Sequence, residues 1–216
     1  MNAKINKMHL SFQGAGKTTF IKKLIQKQHY MLSSPAKRIV YFYIEMNDQI
    51  KAISKLPRVE LIKHFDQDVI DDHKSTDDSL WIIVDDHLLQ NVHEKLADIF
   101  TVKSAAKKIS ISYLSQNIFT KIGNAQKYNR ELLLNSTITI LFNNRRDESL
   151  ITSLARTSFA SRFKFFKDAY HSVCGPGKSA HNYLAIFSDP DTPPELELRS
   201  KIFFRDQTTI LLWQRK

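Results

Sequence analysis

A nine-residue segment near the N-terminus, S-F-Q-G-A-G-K-T-T beginning at Ser11, has the residue types and spacing that polyphosphate binding requires. Glycines let backbone N–H groups close around phosphates, the lysine reaches the β- and γ-phosphates, and the threonine hydroxyl helps to hold Mg²⁺. The segment matches the phosphate-loop pattern G-x-x-x-x-G-K-[ST] except at its first position, where Ser11 replaces glycine. We therefore predict an ATP site with Mg²⁺. Its predicted nucleotide-binding residues are Gly14, Ala15, Gly16, Lys17, Thr18 and Thr19.

The same spacing recurs at Ser172–Ser179, S-V-C-G-P-G-K-S, so the context of each copy matters. A phosphate loop must follow a strand and begin a helix, because the helix N-terminus then faces the phosphates. The first copy has this context, with a predicted strand at 8–12 and a predicted helix at 17–29. The second copy follows a predicted helix and precedes a predicted strand at 183–187. We interpret the second copy as a turn rich in glycine and proline.

Carboxylates follow two predicted strands. The run L-W-I-I-V ends in Asp85 and Asp86, and an apolar run of this kind is typical of a buried parallel strand. Asp85 is predicted to bind Mg²⁺, and Asp86 to orient or deprotonate the attacking water. Glu45 closes a second predicted strand at 38–44. It either assists the water or merely ends its strand.

Polar residues follow two further predicted strands. Gln116 comes after a strand at 109–114, where it is either a sensor of the γ-phosphate or part of a helix-capping turn. Arg145 and Arg146 come after a strand at 137–142. Arginine at a strand end near a nucleotide can act as an arginine finger, within a subunit or across an interface. The alternatives for both arginines are contacts to nucleic-acid phosphates or plain surface charge.

The order of these elements predicts the fold class. Strands that alternate with helices indicate βαβ units, and hence an α/β fold with a mainly parallel sheet flanked by helices, as in RecA-like (ASCE) P-loop NTPases. Residues 47–65 are predicted as a mixed, partly helical segment, and residues 66–78 as an acidic loop. The 216 residues suit one ATPase domain spanning 1–216, with 188–216 as a C-terminal extension of that domain. The apolar segment 210–213 is predicted as an edge strand or a contact surface.

Charge and composition restrict the partners. Residues 1–100 carry 14 lysines and arginines against 13 acidic residues, whereas residues 101–216 carry 18 against 9. A basic surplus of this size favours a polyanion such as DNA, and its alternative is a solvated surface of high pI. No apolar run approaches the roughly 18 residues of a membrane helix, and no signal peptide is visible. With a single cysteine, Cys174, we expect an intracellular protein that is neither secreted nor membrane-bound.

The succession of motifs resembles one family. G-A-G-K-T-T-F-I-K-K-L is followed by I-V-Y-F-Y-I-E, L-W-I-I-V-D-D, I-S-Y-L-S-Q-N-I-F and L-N-S-T-I-T-I-L-F-N-N-R-R-D. Near the end comes H-N-Y-L-A-I-F-S-D-P-D-T-P-P-E-L-E-L-R-S-K-I-F. From about residue 8 to residue 206 the chain resembles genome-packaging ATPases of the FtsK/HerA superfamily. It looks most like those of Polinton (Maverick) elements, adintoviruses and virophages, which are relatives of the poxvirus packaging ATPase.

The resemblance implies an ATP-hydrolysing motor that moves double-stranded DNA into a preformed capsid. It implies a homo-oligomeric ring around the DNA, contact with capsid or portal vertex proteins, and a location where virus is assembled, in nucleus or cytoplasm or with the virion. The roles it carries over are phosphate binding for Lys17, Mg²⁺ for Thr18 and Asp85, catalysis for Asp86, sensing for Gln116, and the finger for Arg145 or Arg146.

Three alternatives stay open. The first is another DNA-translocating or helicase-like P-loop ATPase. The second is a decayed nucleic-acid-binding copy with a vestigial nucleotide site, and the serine at position 11 favours this second alternative. A small-molecule kinase is the third, although it would not explain the basic second half. Asn144 departs from the proline that many of the resembled ATPases carry at this position.

Overall fold

The computed structural model describes residues 7–11, 16–74, 78–85, 93–115, 131–143, 148–203 and 211–212. Its central element is one sheet, to which the described residues contribute nine strands. The strands are β1 Lys7–Ser11, β2 Arg38–Tyr43, β3 Val59–Lys63, β4 Leu80–Asp85, β5 Ile109–Ser115, β6 Ile138–Phe142, β7 Tyr183–Phe187, β8 Leu198–Ser200 and β9 Leu211–Leu212.

The strand order is β3-β2-β4-β5-β1-β6-β7-β8-β9. The first six of these pair in parallel, and β7, β8 and β9 continue the sheet antiparallel. Six carboxyl ends therefore lie at one edge of the sheet. The strand that precedes the phosphate loop, β1, lies between β5 and β6, and β5 separates it from the aspartate strand β4. The predicted fold class is confirmed.

Helices cover both faces of the sheet. They are α1 Lys17–Met31, α2 Asp48–Ser54, α3 Asp68–Asp71, α4 His93–Asp98, a π-helical turn Ile99–Lys103, α5 Ser104–Ala106, α6 Glu148–Phe159, a 3₁₀ turn Ala160–Arg162 and α7 Phe163–Cys174. A second 3₁₀ turn, Pro194–Leu196, precedes β8. Among the described helices, none has both the length and the apolar character needed to cross a membrane.

Side chains alternate between the two faces along each strand, so each face has its own core. One core joins α1 and α2 to the face that contains Met8, Leu10, Ile39 and Trp81. On the opposite face, α6 and α7 pack on β6 and β7, while α4 and the π-helical turn pack on β2, β4 and β5. The first five residues of β4, apolar throughout, are all buried because both of their faces are covered.

Most predicted elements are present, with ends shifted by one or two residues. The mixed segment 47–65 is more regular than predicted, because it contains the helix α2 and also the parallel edge strand β3. The acidic loop contains the short helix α3, and α4 continues through the π-helical turn into α5. The predicted C-terminal edge strand corresponds to β9, which is the last strand of the sheet.

Candidate nucleotide site

The phosphate-binding segment leads directly into α1. Gly16 is the N-cap residue of this helix, and its backbone has φ 93° and ψ 22°. This left-handed conformation is open to glycine and strained for residues with a Cβ. The backbone N–H of Phe20 donates to the Gly16 carbonyl at 2.8 Å and so begins the helix. The N-terminus of a 15-residue helix therefore begins at the last glycine of the phosphate-binding segment, as anion binding requires.

The side chain of Lys17 reaches across to β5. Its Nζ donates to the backbone carbonyl of Ser115 at 2.5 Å. Ser115 is the last residue of β5 and pairs in register with Ser11, the last residue of β1. The Lys17 ammonium thus lies over the carboxyl ends of these two strands, where a bound polyphosphate needs positive charge.

The two predicted metal ligands meet through a tyrosine. The phenol of Tyr41, on β2, donates to Oδ2 of Asp85 at 2.9 Å, and the side chain of Thr18 lies beside it. Burial raises the pKa of Tyr41 well above its usual value, and the negative charge of Asp85 adds to this effect. Tyr41 therefore stays protonated and remains a hydrogen-bond donor. The sequence pattern Y-F-Y-I-E did not single it out.

These residues fit a magnesium ion. Mg²⁺ prefers hard oxygen ligands and is usually held by one or two protein oxygens together with substrate phosphates and water. Thr18 and Asp85 supply a hydroxyl and a carboxylate that both lie beside the Tyr41 phenol, next to the helix N-terminus. Both are only half-buried, which leaves them accessible to a phosphate-bound metal.

A buried histidine lies near the same carboxyl edge of the sheet, on the face opposite α1. His9, on β1, is fully buried, with its Nε2 2.8 Å from Oγ of Ser115 and its ring stacked on Tyr113 at 5.2 Å. Burial lowers the pKa of His9 to about 3, and the positive charge of Lys17 contributes. The imidazole is therefore neutral at physiological pH. The sequence gives no distinct signal for it, because polar and apolar residues alternate along K-M-H-L-S and His9 looks like a residue of an exposed face.

The glycine–proline part of the second motif is a turn, as predicted, and the chain that follows it approaches Gly16. The backbone N–H of Lys178 donates to the Gly175 carbonyl at 3.1 Å, and Gly177 has φ 77°. The buried amide of Asn143, just past the end of β6, donates to the carbonyls of Lys178 and Ser179 at 3.3 Å each. His181, two residues after Ser179, has its Nδ1 3.0 Å from the position that a Cβ on Gly16 would take.

Ser11, which replaces the first glycine of the phosphate-loop pattern, lies in a regular strand. Ser11 is paired on both sides within the sheet, with Ser115 of β5 and Leu141 of β6. Its backbone is ordinary extended strand, which any residue adopts. The missing first glycine therefore does not require a strained backbone at this position.

The structure brings part of the predicted site together. Gly16, Lys17 and Thr18 lie with Asp85 at the carboxyl edge, while Thr19 is exposed in the first turn of α1. Glu45 is exposed two residues beyond the end of β2 at the same edge. The predictions for Gly14, Ala15, Asp86, Gln116, Arg145 and Arg146 fall outside the described residues.

Comparison with known proteins supports the fold. No protein-family model and no curated protein sequence matches this chain. The cytoplasmic domain of the type VII secretion ATPase EccC from Thermomonospora curvata is similar over 87% of this chain and 24% of its own, with 13% identity and a TM-score of 0.51. EssC (ATPases 2 and 3) from Geobacillus thermodenitrificans overlaps over 68% of this chain and 34% of its own, with 14% identity and a TM-score of 0.48.

The chain thus spans only about a quarter to a third of the length of these solved structures. At such identities the EccC likeness establishes the fold and nothing finer. Together with the strand order and the position of Lys17 at the N-terminus of α1, it shows that this chain has the α/β fold of P-loop ATPases.

Proposed function

We propose that this chain is an ATP-hydrolysing motor that translocates double-stranded DNA, with packaging of DNA into a capsid as its task. The observation that carries the ATPase part is the meeting of Lys17, Thr18 and Asp85 at one sheet edge. These residues come from a loop–helix junction and from a strand two places away in the sheet. That arrangement supports nucleotide hydrolysis better than it supports a purely structural role.

Each residue has a defined task in this proposal. The Lys17 ammonium exchanges its contact with the Ser115 carbonyl for phosphate oxygens, and the first turn of α1 offers its backbone N–H groups to the same anion. Thr18 and Asp85 hold Mg²⁺, which supplies charge neutralisation on the phosphates when bound. Asp86, which directly follows Asp85, serves as the base that orients the attacking water.

Translocation of DNA rests on two further observations. The motif series resembles genome-packaging ATPases along nearly the whole chain, and residues 101–216 carry 9 more basic than acidic residues. A ring that surrounds DNA needs a basic channel, and an arginine such as Arg145 or Arg146 that enters the neighbouring site would couple its subunits. Capsid or portal vertex proteins would be its further partners, inside the infected or host cell.

The decayed-copy alternative depended on Ser11. Since Ser11 adopts ordinary strand geometry, the structure offers no strain to support that alternative at this position.

The test is steady-state ATP hydrolysis with and without double-stranded DNA, for the wild type, Lys17→Ala and Lys22→Ala. Lys22 lies on the same helix and provides the matched control. DNA-stimulated turnover that is lost only in Lys17→Ala is the expected result, together with DNA binding that weakens steeply as salt rises. Turnover without DNA stimulation would refute the DNA-motor part of the proposal and leave the ATPase part standing. Absence of turnover and of nucleotide binding in the wild type would refute the ATPase itself.

A further inference from the structure

Tyr41 is a buried residue whose polar end lies at the nucleotide site. It is 0% exposed, and its hydroxyl reaches the polar edge of the sheet, where it donates to Asp85 and lies beside Thr18. A buried phenol needs a partner for its hydroxyl, and many arrangements would satisfy that need. Here the two partners are the two residues to which the metal is assigned.

The phenol is held by a rigid frame. Strand β2 is paired on both sides, so that Tyr41 lies between Leu61 of β3 and Ile83 of β4. Its ring belongs to the core beneath α1, which also contains Ile21 and Trp81. A ring packed in this way does not swing out when a ligand arrives, and its hydroxyl therefore stays at a fixed place between the two ligands.

The direction of the hydrogen bond follows from the donor available. Asp85 accepts from Tyr41, which uses the single hydrogen of the phenol. The lone pairs of the phenol oxygen can then only accept, and Thr18, whose side chain lies beside the phenol, has a hydroxyl hydrogen to donate. Tyr41 thus fixes Oδ2 of Asp85 and offers an acceptor to Thr18.

We propose that Tyr41 is a positioning residue of the magnesium site, which orients the Thr18 hydroxyl and the Asp85 carboxylate at once so that both present lone pairs to the metal or to its water. The inference rests on the proposed ATPase function and names a residue that acts through the ligands. Outer partners that orient metal ligands commonly change metal affinity 10- to 100-fold when they are removed.

The experiment compares Tyr41→Phe with Tyr43→Phe. Tyr43 lies two residues along the same strand, packs against the same core and is half-buried, so the control makes the same chemical change without removing the hydrogen bond to Asp85. The probe is a fluorescent, non-hydrolysable ATP analogue, titrated first in EDTA and then with MgCl₂. We expect Tyr41→Phe to weaken the apparent Mg²⁺ affinity about 10- to 100-fold while nucleotide affinity in EDTA stays near that of the wild type. Tyr43→Phe should match the wild type in both titrations.

The outcomes separate this inference from the proposed function. Equal Mg²⁺ affinity in the wild type and Tyr41→Phe overturns the positioning role and leaves the ATPase proposal standing. A wild type that binds the analogue in neither titration overturns both.

A second measurement keeps the test independent of the variant's folding. In wild-type protein labelled with ¹³C at the tyrosine Cζ, the Tyr41 resonance should shift when Mg²⁺ is added to the nucleotide complex. No shift would overturn the role.

Discussion

Acid should destabilise this protein through one identified residue, His9. Its folded pKa of about 3 lies below the ordinary value of 6.5, because burial and the charge of Lys17 disfavour the imidazolium. Between these two values the unfolded chain binds a proton that the folded chain refuses, and folding stability falls as pH falls. Below about pH 3 both states are protonated, and His9 causes no further loss.

The magnitude follows from this window. Between the folded and unfolded pKa values of His9, each pH unit lowers the free energy of unfolding by up to about 1.4 kcal/mol. Acidification from pH 7 to about pH 4.5 therefore lowers it by about 2–3 kcal/mol through His9. This figure is set mainly by the unfolded pKa and hardly depends on how far below pH 4.5 the folded pKa lies. It is a sizeable part of the roughly 5–15 kcal/mol by which domains are stable.

The assay is urea unfolding at the two pH values and constant ionic strength, for the wild type and His9→Gln. The amide of glutamine can replace the imidazole as the hydrogen-bond partner of the Ser115 hydroxyl, and it does not titrate. The pH-dependent loss should be about 2–3 kcal/mol smaller in His9→Gln than in the wild type, whatever its stability at neutral pH. His29→Gln, at an exposed position of α1, controls for loss of an imidazole as such. The same loss in wild type and His9→Gln, within about 0.5 kcal/mol, would refute the assignment of a buried neutral histidine.

Two further predictions concern the nucleotide site. Gly16→Ala should lower stability by about 1–3 kcal/mol and the melting temperature by about 2–4 °C for each kcal/mol, since a Cβ there meets both the left-handed backbone and Nδ1 of His181 at 3.0 Å. Adding His181→Ala should recover only the part due to the contact, and full recovery in calorimetry would contradict the backbone argument. Asp86→Asn should keep nucleotide affinity and suppress hydrolysis, and undiminished turnover would remove Asp86 from the mechanism.

Local pattern explains what the sequence predicted correctly. The strand–loop–helix unit around Lys17 and the apolar run before Asp85 are periodic over short stretches, and such periodicity depends on neighbours in the chain. Strand β3 was missed for the corresponding reason. Its residues V-E-L-I-K are only partly buried at the sheet edge, so that their pattern is weak. The strand also follows Arg58, whose φ of 68° is uncommon for a residue other than glycine and is therefore hard to predict from sequence.

The roles of His9 and Tyr41 could not be predicted from local pattern. His9 and Ser115 are 106 positions apart, and Tyr41 and Asp85 are 44 positions apart. Each pair meets only because the strand order brings the carboxyl ends together and because the register sets which face each side chain takes. A one-residue shift of either strand would move these groups to the opposite face. Knowledge of pairing between strands was therefore needed before either residue could be connected with the site.

The two buried groups also determine how the site responds to pH. His9 is kept neutral and Tyr41 is kept protonated, since burial moves the pKa of the first down and that of the second up. Neither group therefore changes its charge near neutral pH, and the charge at this part of the site comes from Lys17 and Asp85. A neutral His9 matters because an imidazolium on the other side of Ser115 would repel the Lys17 ammonium that the phosphate needs. Any change in nucleotide affinity between about pH 6 and pH 8 should accordingly arise from the phosphates or from groups other than these two.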